Sequence, residues 1–301
     1  MELLCHSFHA MGGPCEARVY GRDATHARAA AQAAQDEVLR LERKYTRYRD
    51  DSLTSAINRS AGDARGIEVD DETAALLDYA DTAWQQSEGA FDITSGVLRR
   101  AWNFRSGKVP AQAQIDAILP LVGWPQVRWS RPRLVLPLAG MELDFGGYVK
   151  EYAADRAAQC ARDAGCAHGF VELGGDIALI GPHPGGAPWQ IGVRDPRARE
   201  RALVSVALAQ GALASSGDYE RCMEIGGVRY AHILDPRSGW PVRGLTAVSV
   251  IAPQCLVAGT ATTIAMLKGE DGLHWLEELG LRWMAVDAAG RLHGDIGAAA
   301  R

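Results

Sequence analysis

The stretch LDFGGYVK, residues 143–150, most constrains how this chain can fold. After it, apolar and small residues recur with the three-and-four spacing of one helical face as far as Ala164, and Gly165 then supplies a helix stop. Before it lies the end of an apolar strand that carries Asp144. The two glycines between strand and helix let backbone N–H groups approach a ligand without intervening Cβ atoms. The pattern therefore predicts a strand–turn–helix junction that forms an anion site.

Lys150 lies in the first turn of this predicted helix. A cation there opposes the positive end of the helix dipole, at a cost of a few tenths to about 1 kcal/mol. A bound phosphate would remove that conflict. An exposed lysine at a purely structural junction is the alternative, and this stretch by itself leaves both interpretations open.

Composition excludes several classes of protein. The chain has 301 residues, of which 47% are apolar and 23% charged, as in an ordinary globular protein with a sizeable core. A net charge of −5 without a run of lysine or arginine argues against nucleic acid or an anionic membrane as a general partner. There is no basic leader and no apolar run of about 18 residues, so a cytoplasmic protein without a membrane anchor is expected. Six cysteines without a CxxC pair indicate buried thiols rather than zinc.

Strands and helices alternate along the chain, with several strands in succession, which predicts a mixed α/β (α+β) fold with mixed or antiparallel strands. No GxGxxG motif follows the first strand, so a Rossmann dinucleotide site has no support. Residues 103–140 are expected to be a loop-rich insertion, and the alanine-rich C-terminus to fray. The main predicted elements are a strand pair over 3–21, helices at 27–45, 71–88, 149–164, 255–267 and 272–279, and short strands at 127–129, 134–136 and 283–286.

Several loops carry groups that suit a nucleotide. The segment GAFDITSG, residues 89–96, offers one aromatic ring and one carboxylate, which are the groups that a purine or isoalloxazine edge needs. Tyr48 stands among cations and suits a lid over a planar, phosphate-bearing ligand, although a solvated surface segment is the alternative. Residues 214–219 are expected to form a hydroxyl-rich turn. His232 is expected within an apolar strand, where a buried structural histidine is the more common case.

Eight motifs in order resemble the ApbE family of FAD:protein FMN transferases. They are MGGPC, TRYRDDS, GAFDITSG, LDFGGYVK, VELGGDIALIG, SSGDYER, HILDPRSGWPV and AGTATT, and they cover about residues 8–269. The resemblance implies a single ApbE-like domain over residues 1–301, with a nucleotide cleft between two lobes. It implies an enzyme that binds FAD, splits its pyrophosphate with Mg²⁺ and attaches FMN by a phosphoester to a threonine or serine of an acceptor flavoprotein subunit.

The resemblance also implies roles for individual residues. Tyr48 would be the lid, and Lys150 would neutralise phosphate. His232 or Asp235 would orient or deprotonate the acceptor hydroxyl, and the residues leave that choice open. The implied FAD-binding positions are Met11, Tyr48, Ala90, Phe91, Asp92, Asp144, Lys150, Gly174, Gly175, Asp176, Ser216, Gly217 and Ile233.

The implied metal site departs from the family pattern. The family uses a backbone carbonyl, which is that of Gly147 here, together with an aspartate and a threonine near position 260. Thr262 and Thr263 are present, but Gly259 stands at the aspartate position. Because Mg²⁺ usually keeps one or two carboxylates, this loss should weaken the site. It motivates a second hypothesis, an FAD-binding relative that carries or senses flavin without transferring it. A third hypothesis, a flavin oxidoreductase, requires a bound flavin that accepts a hydride from NADH.

Two glutamates depart from the family pattern as well. Glu151 stands where glycine usually follows the lysine, and Glu172 stands where asparagine is usual. Either glutamate would restore the missing negative charge, or else pair with Lys150 and block the site.

Overall fold

The computed structural model of the chain describes residues 1–297; the predicted fraying of the C-terminal alanines lies outside them. The strands are β1 (Glu2–Ala10), β2 (Gly13–Gly21), β3 (Ile67–Glu68), β4 (Arg128–Ser130), β5 (Arg133–Val135), β6 (Gly169–Leu173), β7 (Asp176–Gly181), β8 (Trp189–Asp195), β9 (Ala198–Leu208), β10 (Ala212–Gly217), β11 (Cys222–Ile225), β12 (Val228–Ala231), β13 (Leu245–Ala252), β14 (Arg282–Asp287) and β15 (Leu292–Gly294). The helices are α1 (Ala24–Tyr45), α2 (Leu53–Arg59), α3 (Asp71–Gln86), α4 (Gln112–Asp116), α5 (Val149–Asp163), α6 (Cys255–Lys268) and α7 (Asp271–Glu278).

An eight-stranded sheet forms the centre of the fold. Its strand order is β1-β2-β6-β7-β10-β13-β14-β15, and every neighbouring pair is antiparallel. The strands β8 and β9 form a separate hairpin, as do β11 and β12, and β3-β5-β4 form a small third sheet. The predicted mixed fold with interleaved helices and strands is confirmed, and its pairings are antiparallel.

Strict alternation along the strands separates the two faces of the central sheet. Ala178 and Ile180 of β7 belong to the core shared with the helices α1, α5 and α6, whereas Ile177 and Leu179 pack against the β8–β9 hairpin. On β6, Phe170 likewise faces the hairpin. Whether a side chain faces the helical layer therefore depends on which of the two alternating positions its residue occupies along the strand.

The first helix follows its sequence pattern. Asp23 caps α1, and its side chain accepts a hydrogen bond from the backbone N–H of His26 at 2.8 Å. The buried residues of the helix are Ala27, Ala30, Ala31, Ala34, Val38, Leu41 and Tyr45, which is the predicted face. Alanines dominate this face, so α1 lies close to α5 and to strands β1 and β2.

The junction at residues 143–150 forms the predicted turn and helix, but the predicted strand before them is wrong, because residues 141–144 belong to no strand. Asp144 caps a short 3-10 turn, Phe145–Gly147, and α5 begins directly afterwards at Val149. The buried face of α5 is wider than the sequence pattern indicates, because Ala154, Ala158 and Glu151 are buried together with the predicted alanines.

Three further details differ from the sequence predictions. The short strands β4 and β5 begin one residue away from the predicted strands. Ser215 and Ser216 do not form a turn but lie in β10, where both pair with β13. His232 follows the end of β12 and is exposed, so it is not a core histidine in a strand. Within residues 1–297, none of the helices has the length and apolar character needed to cross a bilayer.

Candidate functional site

Two hairpin turns lie next to each other at one end of the central sheet. The pairing of Leu173 with Asp176 leaves Gly174 and Gly175 as a two-residue turn with φ of 60° and 100°. Both values fall in the left-handed region that glycine adopts without steric cost. No atom lies within 4 Å of a Cβ placed on either glycine, so the backbone of this turn is open to a ligand. The N–H of Gly174 donates to the carbonyl of Pro14 at 3.1 Å, which ties this turn to the β1–β2 hairpin.

The β1–β2 hairpin turns at Met11 and Gly12, with φ of 54° and 76°. A left-handed conformation is uncommon for a residue with a Cβ atom, and non-glycine residues in such regions cluster at functional sites. The backbone N–H of Met11 donates to Glu42 Oε1 at 2.7 Å, which holds the turn against α1. The guanidinium of Arg221 lies 3.5 Å from the place of a Cβ on Gly12.

Lys150 is held between two carboxylates in the first turn of α5. Its Nζ donates a hydrogen bond to Asp176 and lies 3.0 Å from Glu151 Oε1. The side chain of Asp176 is 3% exposed and that of Glu151 is 10% exposed. The second oxygen of Asp176 accepts a hydrogen bond from the N–H of Ser215 at 2.9 Å. The cation that the helix dipole disfavours is therefore stabilised by negative charge from β7 and from the next residue.

Hydroxyl groups continue this network into α6. Ser216 Oγ lies 2.8 Å from Thr262 Oγ1 and 3.5 Å from Thr263 Oγ1. Thr262 Oγ1 donates to the carbonyl of Gly259 at 2.8 Å, and Gly259 faces the side chain of Glu151. The contacts thus close a ring that runs from α5 through β7 and β10 to α6 and back to α5. We call this set the carboxylate–hydroxyl ring: Lys150, Glu151, Asp176, Ser215, Ser216, Gly259, Thr262 and Thr263.

The carboxylate–hydroxyl ring has the donor atoms that a hard divalent cation needs. Glu151 Oε2 is buried and has no hydrogen-bond partner among the residues that the structure describes. Within residues 1–297, no cluster of three or more His, Cys, Asp or Glu side chains is arranged to hold a metal. Both oxygens of Asp176 already accept hydrogen bonds, from Lys150 and from the Ser215 N–H, so any cation at the ring would rely on the Glu151 carboxylate together with hydroxyl, carbonyl and substrate oxygens. This donor set suits Mg²⁺ and not zinc.

Glu172 takes no part in the ring. It lies on β6 with the parity of Phe170, so its side chain faces away from the helical layer, whereas Asp176 faces that layer. Directly across from it on β2 stands Glu16. Burial, and secondarily the charge of Glu16, raises the pKa of Glu172. Of the two glutamates that depart from the family pattern, only Glu151 is part of the carboxylate–hydroxyl ring.

A second cluster forms beside the 3-10 turn. Asp144 accepts a hydrogen bond from the N–H of Gly146 at 2.9 Å and forms an ion pair with Arg47. The guanidinium carbon of Arg47 lies 5.0 Å from the ring centre of Tyr48, a residue that is 78% exposed. Arg47 Nε is buried without a hydrogen-bond partner in the described part of the chain. The exposed ring of Tyr48 is free to contact a planar ligand, as the lid interpretation requires.

Ala90 and Phe91 are buried in the loop that precedes the 3-10 segment Ile93–Arg100. The Phe91 ring lies 3.8 Å from the place of a Cβ on Gly147, so this loop reaches the start of α5. Asp92 uses both of its carboxylate oxygens within the protein. One accepts from the N–H of Thr94 and the other from the N–H of Trp124, each at 2.8 Å. Asp92 thus fixes the loop that presents Phe91.

His232 and Asp235 differ in how their polar atoms are used. His232 Nδ1 lies 3.1 Å from the carbonyl oxygen of Arg221, and a carbonyl can only accept, so Nδ1 carries the proton. Nε2 makes no hydrogen bond within residues 1–297 and is available as an acceptor. The surrounding protein atoms, and then the nearby Arg221 charge, lower the pKa of His232 below its ordinary 6.5. Asp235 instead accepts from Arg237 and from the hydroxyl of Ser238, and so closes its own turn.

The match to known proteins covers nearly the whole chain. The model of the ApbE family matches residues 11–285. The chain belongs to the ApbE family. The family resemblance inferred from the eight motifs is therefore confirmed.

Two relatives in the ApbE family show how much of their length this chain spans. A protein of Rhodobacter capsulatus named FAD:protein FMN transferase is 31% identical over 282 residues, which is 89% of this chain and 52% of the relative. A protein of the same name from Treponema pallidum is 32% identical over 282 residues, which is 86% of this chain and 77% of the relative. The chain thus spans about half the length of the first and about three quarters of the second.

Solved ApbE structures share the fold. The ApbE protein of Thermotoga maritima superposes with a TM-score of 0.91 at 31% identity, covering 99% of both chains. The flavinyl transferase ApbE of Pseudomonas stutzeri in its apo form superposes with a TM-score of 0.84 at 28% identity, covering 97% of this chain and 93% of that one. The predicted ApbE-like fold is confirmed by these likenesses.

The structure brings many of the ApbE positions together and adds others. Lys150, Asp176, Ser216, Thr262 and Thr263 share the carboxylate–hydroxyl ring. Gly217, next to Ser216, has no room for a side chain, because a Cβ there would lie 2.3 Å from the ring of Tyr219. Ile233 packs against the main core. Sequence reasoning did not single out Arg47, which precedes Tyr48, or Arg221, which ends the SSGDYER motif.

Proposed function

We propose that this member of the ApbE family is an FAD:protein FMN transferase. It would cleave FAD with the help of Mg²⁺ and attach FMN to a threonine or serine of an acceptor flavoprotein subunit. The observation that carries the proposal is the carboxylate–hydroxyl ring, which places a lysine, two carboxylates and three hydroxyls beside an open glycine turn. Pyrophosphate cleavage needs this combination of charge neutralisation and positioned oxygen groups.

The residues fit a bound metal ion. The carbonyl of Gly147 and the hydroxyls of Thr262 and Thr263 would hold Mg²⁺, with water and phosphate oxygens as the other ligands. When bound, Mg²⁺ would neutralise charge on the pyrophosphate that is split. Lys150 would neutralise a phosphate oxygen, and the N–H groups of Gly174 and Gly175 would line the diphosphate. Tyr48 would cover the flavin or adenine, and Asp144 would accept from a ribose or adenine group.

The transfer itself requires one proton acceptor. The acceptor hydroxyl would attack the FMN-side phosphorus, the bond from that phosphorus to the bridging oxygen would break, and AMP would leave. His232 would take the hydroxyl proton on Nε2, because Nδ1 already carries a proton and the lowered pKa keeps the ring neutral at pH 7. Asp235 would serve as the anchor of its turn, because both of its oxygens accept hydrogen bonds from residues 237 and 238.

Mass spectrometry of an acceptor protein tests this proposal. The purified protein is incubated with FAD, Mg²⁺ and a candidate flavoprotein subunit that carries a threonine at the modification site. An acceptor mass gain equal to FMN, absent when that threonine is changed to alanine, is the expected result. FAD binding without an adduct on any acceptor would instead support a relative that carries or senses flavin, as the glycine at position 259 suggested. Bleaching of bound flavin by NADH would indicate an oxidoreductase.

A further inference from the structure

Glu151 of α5 and Gly259 of α6 share one space between the two helices. A Cβ placed on Gly259 would lie 2.3 Å from Cγ, 2.9 Å from Cδ and 3.2 Å from Oε1 of Glu151. Such contacts are too short for carbon atoms, so a side chain at position 259 would force Glu151 to move. The side chain of Glu151 therefore fills the volume that a side chain at position 259 would occupy.

In the part of the chain that the structure describes, only one of the two oxygens of the Glu151 carboxylate has a partner. Glu151 is 8% exposed, and its Oε1 lies 3.0 Å from Lys150 Nζ. Its Oε2 is buried and has no hydrogen-bond donor within residues 1–297. Burying a carboxylate oxygen without a partner is unfavourable, and a cation beside Oε2 would offset that cost.

Apart from Lys150 and Asp176, the side chains that complete the carboxylate–hydroxyl ring on β10 and α6 carry neutral oxygens. Thr262 Oγ1 is bonded to the carbonyl of Gly259 and lies 2.8 Å from Ser216 Oγ, and Thr263 Oγ1 lies 3.5 Å from the same serine oxygen. Asp176 already uses both of its oxygens, so Glu151 Oε2 is the one carboxylate oxygen of the ring left without a partner among the described residues. A carboxylate oxygen among hydroxyl and carbonyl oxygens resembles the environments that Mg²⁺ accepts when it keeps waters and substrate phosphates. Glu172 provides no second carboxylate, because it points to the opposite face of the sheet.

We infer that Glu151 supplies the carboxylate ligand of a divalent cation, in place of a side chain at position 259. The two positions are complementary: the residue after Lys150 carries a carboxylate, and the facing position on α6 is a glycine that leaves room for it. The inference rests on the proposed function for the identity of the cation, and it concerns which residue of this chain binds that cation. It also removes the main reason for supposing that the protein binds FAD without turning it over.

Binding of Mn²⁺, a spectroscopic substitute for Mg²⁺, tests the inference without relying on turnover. Free Mn²⁺ is measured by electron paramagnetic resonance as protein is titrated in, with and without FAD. Glu151→Gln keeps the size of the side chain and removes its charge, and we expect Mn²⁺ affinity to fall at least about tenfold. Glu172→Gln is the matched control and should leave Mn²⁺ affinity unchanged. Equal Mn²⁺ binding by wild type and Glu151→Gln, or its absence from both, overturns the inference.

Moving the carboxylate between the two positions gives a sharper test. Gly259→Asp alone should lower both stability and Mn²⁺ affinity, because the new side chain meets Glu151. The double variant Glu151→Gly with Gly259→Asp moves the carboxylate across the gap, and we expect it to bind Mn²⁺ better than either single variant. A double variant as weak as Glu151→Gly counts against the inference, provided that its thermal unfolding remains cooperative. Wild-type protein that binds Mn²⁺ and FAD yet modifies no acceptor would contradict only the proposed function.

Discussion

Asp155 of α5 binds the first turn of α6 through Cys255: its Oδ1 accepts from the backbone N–H of that residue at 2.8 Å, and its Oδ2 accepts from the next N–H, that of Leu256, at 2.9 Å. The residue at the N-cap of α6, Gln254, makes no capping hydrogen bond with its own side chain. A carboxylate from another helix thus satisfies N–H groups that every helix leaves unpaired at its start. The same contact fixes Gly259 opposite Glu151.

Removal of this cap should destabilise the protein. We expect Asp155→Ala to lower the free energy of unfolding by about 2 kcal/mol, at the upper end of capping effects, because the two N–H groups lie at a buried helix contact. Urea unfolding followed by circular dichroism measures the loss. Asp163→Ala, at the exposed end of the same helix, is the control and should change stability by less than about 0.5 kcal/mol. Equal losses in the two variants would show that the cap has no special effect.

Glu72 gives a prediction about pH. Burial raises its pKa, but hydrogen bonds from Arg40 and Lys44, at 2.6 Å and 2.7 Å, outweigh burial and lower the pKa to about 2. A carboxyl with a depressed pKa in the folded state stabilises the fold fully above its unfolded pKa, and this contribution is lost as the pH falls toward 2. Glu72→Gln should therefore cost about 1 kcal/mol at pH 7. The difference from wild type should shrink below about pH 4.3.

Urea unfolding at pH 7 and at pH 3 measures the two limits for Glu72→Gln. Glu68→Gln removes a more exposed carboxylate that pairs with Arg133, and serves as the control with little effect at either pH. A stability difference between wild type and Glu72→Gln that stays constant from pH 7 to pH 3 would contradict the assigned ion pairs.

Lys150→Met should weaken nucleotide binding. Loss of a charged contact to phosphate costs about 1.5–3 kcal/mol, which is roughly a 10- to 150-fold rise in the Kd for FAD. The same change leaves Asp176 without its cation and should lower stability as well. Lys150→Met combined with Asp176→Asn should regain stability without regaining affinity. Titration calorimetry and thermal unfolding separate the two effects, and Lys108→Met, at an exposed lysine, is the control. Unchanged FAD affinity would make the start of α5 a structural junction only.

Tyr48→Ala tests the lid. Because the ring is exposed and contacts mainly Arg47, its loss should leave the unfolding temperature unchanged. Loss of stacking should weaken FAD binding by about 1 kcal/mol, roughly fivefold. Tyr48→Phe retains the ring and is the control, with FAD affinity near that of wild type. Calorimetry that shows equal affinity for wild type and both variants would remove Tyr48 from the binding site.

Local periodicity was enough to predict most of the fold from the sequence. The features that were missed depend on long-range contacts. The face of α1 is visible in the sequence because its seven buried residues follow one helical stripe. The relation of Glu151 to Gly259 is not visible, because it depends on how α5 packs on α6. Ser215 and Ser216 have turn-forming side chains, yet pairing with β13 overrides that local preference.

The candidate site shows the same division between local and long-range information. The turn at residues 145–147 and the start of α5 are local motifs, and the sequence located them. The sequence prediction placed His232 within a buried strand, which is wrong. The residue is instead held by the carbonyl of Arg221, which accepts hydrogen bonds from both the backbone N–H and Nδ1 of His232. The sequence of residues 228–235 contains no pattern that predicts this contact.

The choice between His232 and Asp235 as proton acceptor can be made from the pH dependence of FMN transfer. A general base must be unprotonated, so the single-turnover rate should fall as the pH drops through the pKa of His232, which lies below 6.5. His232→Gln should lower the rate by about 100-fold or more at pH 7 and should abolish this acidic limb. Asp235→Asn should keep the limb, since the amide oxygen can still accept from the Arg237 N–H in the turn. The opposite pattern, with the limb lost in Asp235→Asn and kept in His232→Gln, would make the carboxylate the base. FAD affinity should stay near that of wild type in both variants, which separates a lost proton acceptor from a lost substrate.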